Sequence, residues 1–134
     1  MSLITWKEEY NLGIKEIDEQ HQKMFSIINE LFHAMKESDG EILKRVLGEL
    51  VDYADYHFST EEEYFKKLEY PEKEAHIKTH EQYREKILGF VMEYKDGEKL
   101  LPYEILDFLE DWWIGHITGV DRQYINAFHK GGIA

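Results

Sequence analysis

Four stretches of this chain carry a buried-type stripe in steps of three and four, and histidines stand on those stripes where leucines belong. Such steps mark a helix that buries one face. The first stripe runs Ile17, His21, Met24, Ile28, Leu31, Met35. The second runs Leu43, Leu47, Leu50, Ala54, His57, Glu61, Tyr64, Leu68. The third runs His76, His80, Tyr83, Ile87, then Val91 or Phe90, and Tyr94. The fourth runs Ile105, Leu109, Trp112, His116, Val120, Tyr124, Ala127.

Turn signals separate the stripes. They are ESDG at 37–40, EYP at 69–71, KDGEKLLP at 95–102 with Gly97 as breaker, and Gly131-Gly132. Asp18 is placed to cap the first helix, and Pro71 and Pro102 to open the third and fourth. No segment alternates with a period of two for long enough to make a strand. The expected architecture is all-α: an antiparallel up-down-up-down four-helix bundle over residues 17–130. Residues 1–16 form an extended N-terminal arm that Trp6, Tyr10, Leu12 and Ile14 pack onto the bundle.

Composition agrees with one domain. The chain has 134 residues, 43% hydrophobic and 33% charged, with a net charge of −12. That acidity argues against nucleic acid and anionic membranes as partners, since both call for a basic footprint. No apolar run approaches the length of a membrane span, and MSLITWKEEY lacks the basic start and apolar stretch of a signal peptide. With no cysteine there is neither a disulfide nor a thiolate ligand. The expected compartment is the cytoplasm. No Gly-x-Ser-x-Gly turn or phosphate-cradling glycine loop is present.

A polar residue at a core position is an error unless it has a purpose. One core histidine is usually just hydrogen-bonded. Here His21, His57, His76, His80 and His116 all fall on the stripes, together with Glu61. In an up-down-up-down bundle, the start of the first helix meets the end of the second, the start of the third and the end of the fourth. All six residues therefore converge at one depth in one half of the bundle. His76 and His80 are one turn apart, ~6 Å, which suits two ligands on one metal.

In HFSTEEEYF at 57–65, only Glu61 is one helical turn from His57, so Glu61 points inward; Glu62 and Glu63 are expected in solvent. An ionised carboxylate buried alone costs several kcal/mol, and a metal cation removes that cost. Asp121 lies five residues after His116, ~140° away on an ideal helix. Spacing alone leaves it exposed unless the helix is locally widened, which Gly119 would permit.

The pattern resembles the hemerythrin family, in particular its single-domain bacterial members. The resemblance covers nearly the whole chain: Trp6, GIKEIDEQH at 13–21, HFSTEE at 57–62, HIKTH at 76–80 and WWIGHITGVD at 112–121. It implies two non-haem iron ions bridged by hydroxide or oxide. His76, His80 and His116 would bind one ion, His21 and His57 the other, and Glu61 and Asp121 would bridge both. One position would stay open on the ion with two histidines. The function implied is reversible binding of dioxygen there as hydroperoxide, for storage, delivery or sensing. A di-iron oxidase, or a peroxide or nitric oxide reductase, is the alternative on the same scaffold.

The pocket at the open position is expected to be apolar, so that no acid releases peroxide. Phe25, Phe58, Trp113 and Ile117 are its candidate walls, and each also serves ordinary core packing. The family often has leucine where Trp113 stands, and an indole there would narrow the pocket. Glu30-x-x-His33 matches half of the motif of ferritin-like oxidases. His33 lies off the buried rhythm, however, and is expected at the surface, as is His129.

Overall fold

In the computed structural model, which describes residues 3–37, 40–95 and 103–134, the stripes become helices. They are α1 (Lys15–Glu37), α2 (Gly40–Leu68), α3 (Lys73–Lys95) and α4 (Glu104–Gly115). The last rod continues through a π-helical turn, His116–Val120, and a 3-10 turn, Asp121–Tyr124, into α5 (Ile125–Lys130). Each helix touches its neighbour in sequence, and α4 returns to α1, closing the bundle. No strand occurs among the described residues. The breakers proposed within 38–39 and 96–102, including Gly97 and Pro102, lie outside the described residues.

The apolar side chains on the stripes meet in one core. Ile17, Met24, Ile28 and Leu31 of α1, Leu50 of α2, Tyr83 and Ile87 of α3, and Ile105 and Leu109 of α4 are all 2% exposed or less. Phe90 rather than Val91 takes the buried place on α3. No helix among the described residues is long and apolar enough to cross a membrane.

The fourth rod departs from its expected stripe. Val120 and Ala127 are only half-buried, while Asp121, Tyr124 and Phe128 are fully buried. The cause is the π turn, where the Asp121 N–H bonds to the His116 carbonyl, five residues back. A turn with one extra residue moves every later side chain by one position around the axis. The stripe therefore slips from Val120 to Asp121 and from Ala127 to Phe128.

Asp18 also differs from expectation. Helix α1 already starts at Lys15, so Asp18 sits inside its first turn and caps no end of it. Its carboxylate turns back and accepts from the N–H groups of Leu12 at 2.8 Å and Gly13 at 3.1 Å. Gly13 adopts φ +80, a left-handed backbone that glycine takes without strain. The arm includes one 3-10 turn, Glu8–Tyr10. Asn29 pins it further, accepting from Leu3 and Ile4 N–H at 3.0 Å each and donating to the Ile4 carbonyl at 2.9 Å. Phe25 packs edge-on against both Trp6 and Tyr10, at 5.1 and 5.7 Å between centroids, and those two rings lie 5.5 Å from each other.

Helix α2 ends without a glycine. Glu69 takes φ +51, and the Tyr70 N–H reaches back to the Phe65 carbonyl at 2.9 Å. This is the usual left-handed helix stop, with the Tyr70 and Phe65 rings 5.1 Å apart as its apolar contact.

Asp18 is nearly buried, and charge-assisted bonds of this kind are worth about 1.5–3 kcal/mol each. Replacing Asp18 with Ala should therefore lower stability by about 2–4 kcal/mol, since the two bonds share one carboxylate. Urea unfolding measures this, and a change below about 0.5 kcal/mol would show that the arm is held without it.

Candidate metal centre

Seven polar side chains from all four rods meet in one half of the bundle. His21 comes from the first turns of α1, and His57 and Glu61 from the end of α2. His76 and His80 come from the start of α3, and His116 and Asp121 from the fourth rod. All seven are 4% exposed or less. The spacing on α2 brings Glu61 beside His57, and the π turn swings Asp121 inward beneath His116. Local widening of a helix, rather than ordinary periodicity, thus places the second carboxylate.

The donors fall into two groups that share members. Glu61, His76, His80, His116 and Asp121 offer atoms all within 4.8 Å of one another, and so do His21, His57, Glu61 and Asp121. Both carboxylates belong to both groups. Asp121 Oδ1 lies 2.8 Å from His76 Nε2 and 3.0 Å from His116 Nε2, while its Oδ2 lies 3.0 Å from His21 Nε2. Glu61 Oε1 lies 3.1 Å from His57 Nε2 and 3.3 Å from His80 Nε2, and Oε2 lies 3.9 Å from His76 Nε2.

These contacts are close enough for electrostatic attraction yet poorly aligned for hydrogen bonds. The five Nε2 atoms and all four carboxylate oxygens lack a hydrogen-bond partner. Buried polar atoms are almost always paired, so nine converging orphans need a cause. Bound metal ions would supply it. Ligand bonds on the order of 2 Å bring donors around one ion to within about 4–4.5 Å of each other. The residues present fit metal binding in number, type and spacing.

Three outward nitrogens are anchored. His57 Nδ1 lies 2.7 Å from Gln20 Oε1, and the Gln20 amide donates to Thr60 Oγ1 at 3.2 Å. His80 Nδ1 lies 2.9 Å from Glu62 Oε2. His116 Nδ1 is 3.4 Å from Thr79 Oγ1, which donates to the His76 carbonyl at 2.6 Å. Glu62 is thus not the solvated residue that its rotation on α2 implied. It is half-buried against α3, which crosses at that point. Glu63 is exposed, as are His33 and His129. Gln20, Thr79 and Glu62 were not recognisable as site residues, because their role depends on which helix faces them. Their one hint was adjacency: Gln20 directly precedes His21, Thr79 directly precedes His80, and Glu62 directly follows Glu61.

Of the four proposed walls, Phe58, Trp113 and Ile117 are wholly buried. Phe58 stacks on His80 at 3.9 Å and on Trp113 at 5.6 Å. The Trp113 ring lies 5.8 Å from His57 and 6.4 Å from His21, and its N–H donates to Tyr83 Oη at 3.2 Å. Phe25, one turn beyond His21, packs toward the arm. Trp112, expected in the core, is half-buried and stacks on His116 at 4.2 Å. Tyr124 stacks beside His76, and its fully buried hydroxyl has no hydrogen-bond partner. Burial first, then the charges of Glu61 and Asp121, push its pKa well above the ordinary phenol value.

Charge explains what the metal-free site would hold. Burial and Asp121 push the Glu61 pKa up, but the His57 and His80 imidazoles more than offset them and keep it ionised. Burial likewise opposes ionisation of Asp121, and His116, His21 and His76 overcome it. Burial, above all, lowers the pKa of His57. Burial lowers that of His80 too, but Glu61 and Glu62 outweigh it and raise the value to about 9.

A metal ion bound by His80 at neutral pH would therefore displace a proton from it. The apparent affinity of the metal-free protein for cobalt(II) should rise between pH 6.5 and about 9, by up to ~10-fold per pH unit for each proton displaced. Calorimetric titrations in buffers of different ionisation enthalpy count the protons released. Affinity independent of pH across this range would refute the assignment.

Residues 12–128 match the model of the hemerythrin HHE cation binding domain. A bacteriohemerythrin of Stenotrophomonas maltophilia is 32% identical over 92% of this chain and 80% of its own length. One from Clostridium acetobutylicum is 32% identical over 92% and 100%. Among solved structures, wild-type hemerythrin superposes with a TM-score of 0.89 at 26% identity, covering 94% of this chain and 98% of that one.

Proposed function

The chain belongs to the hemerythrin family, and on that premise we propose that it binds dioxygen reversibly at a pair of non-haem iron ions. His76, His80 and His116 would hold one ion and His21 and His57 the other. Glu61 and Asp121 would bridge them, with hydroxide or oxide as a further bridge. Such a pair, when bound, would supply two electrons to dioxygen.

The observation that carries this reading is the membership of both carboxylates in both donor groups. Two separate mononuclear sites would not need shared donors. The division of histidines into three and two leaves the second group one donor poorer, which is where an open position would fall. Five imidazoles against two carboxylates also make a nitrogen-rich set, unlike the carboxylate-rich sites that commit dioxygen to oxidation.

The surroundings support reversibility. Phe58, Trp113 and Ile117 are wholly buried apolar side chains, with Phe58 against His80 and Trp113 beside His57. The Trp113 N–H is occupied by Tyr83, so it offers no free proton to that side. Burial leaves the Tyr83 phenol a weak acid, its pKa raised beyond the ordinary value.

Iron quantitation with absorption spectra tests the proposal directly. A pair of irons per chain, and a colour that comes and goes as air and inert gas alternate, is the expected result. One-way oxidation with turnover under added reductant would instead assign an oxidase, or a peroxide or nitric oxide reductase.

Replacing Trp113 with Leu removes the bulk beside His57 and His21. Stopped-flow mixing should then show faster dioxygen association, and storage in air faster autoxidation. If both rates stay unchanged, Trp113 does not line the binding pocket.

A further inference from the structure

Each histidine of the centre turns Nε2 inward, so the partner of its outward Nδ1 sets how strongly the ring donates. Those partners differ between the two groups. In the three-histidine group, His80 is backed by the Glu62 carboxylate at 2.9 Å, and His116 by the Thr79 hydroxyl at 3.4 Å. In the two-histidine group, His57 is backed at 2.7 Å by the neutral amide oxygen of Gln20. His21 Nδ1 is buried and has no hydrogen-bond partner among the described residues.

The charge of Glu62 is only lightly countered from outside. Arg84 Nη2 is 3.8 Å away from Glu62 Oε2, but the Arg84 Nε donates to Asp55 at 2.8 Å. The guanidinium carbon also sits over the Phe58 ring at 5.2 Å. Arg84 is thus engaged mainly by Asp55 and Phe58, and the nearest polar partner of Glu62 Oε2 is His80.

We propose that Glu62 is a positioning residue that acts through His80 to make the three-histidine position the electron-richer of the two. The inference rests on the iron reading above. A carboxylate that accepts the Nδ1 proton fixes the tautomer and lends the ring imidazolate character, so Nε2 donates more strongly to a cation. An amide fixes the tautomer of His57 without adding charge. The two ions are therefore inequivalent for a reason beyond ligand count. The three-histidine ion is the better stabilised in its oxidised form, and the two-histidine ion stays the stronger electrophile.

Two readouts test this: stepwise cobalt(II) titration of the metal-free protein and redox titration of the iron-loaded protein. Glu62→Gln keeps an acceptor of similar shape but removes the charge. It should weaken one of the two cobalt sites by about 10–100-fold and move the midpoint potential to a more positive value. Gln20→Glu places a charge behind His57 and should move the potential the other way. Thermal unfolding of both variants checks that they fold.

Opposite shifts uphold the inference. An unchanged potential in Glu62→Gln, or shifts of the same sign in both variants, overturns it. So does equal weakening of both cobalt sites with a lowered melting temperature, which would mark Glu62 as packing alone. A wild-type chain that takes up no pair of metal ions defeats the iron reading. A wild-type chain that does so while Glu62→Gln behaves identically defeats only this inference.

Discussion

Two carboxylates, Glu61 and Asp121, share one fully buried space, and the rest of the molecule is arranged around that conflict. Like charges in a dry interior repel, and each alone bears a desolvation cost of several kcal/mol. Five imidazoles ring the pair, but neutral imidazoles cannot balance two anions. Protonation of His80 would offset part of the charge, and divalent cations would offset it fully. The bundle thus carries a site that is costly when empty and stabilising when filled. That makes metal affinity and folding free energy two aspects of one quantity.

The aromatic side chains have a part in this. Phe58, Trp113, Tyr83 and Trp112 form a packed set between α2, α3 and α4, with Phe58 against His80 and Trp112 against His116. These flat faces hold the imidazole planes from the side, while Gln20, Glu62 and Thr79 hold them from behind. Rings fixed in both respects lose little freedom on binding an ion. A pre-set geometry costs less to occupy than one that must be gathered.

How much of this could be read from the amino acids depends on what each residue answers to. His21, His57, Glu61, His76, His80 and His116 were legible because a polar residue on an apolar stripe breaks a rule that periodicity makes visible. Asp121 was not legible from spacing. Its position depends on a π turn, and the turn removes the 100° step on which such reasoning rests; only the family resemblance pointed to it. The same slip explains why Val120 and Ala127 looked like core and Phe128 did not. Glu62 was misjudged for another reason. On α2 alone it faces outward, and only the crossing of α3 turns that face into a wall. Asp18 looked like a helix cap, yet its carboxylate serves the arm, because the helix starts earlier than its first apolar residue.

The wide turn at His116–Val120 also decides which length changes the fourth rod tolerates. Losing one residue between His116 and Asp121 restores the four-residue step of an ordinary helix, so Asp121, Tyr124 and Phe128 keep their faces. Gaining one rotates all three away from the core by about 100°.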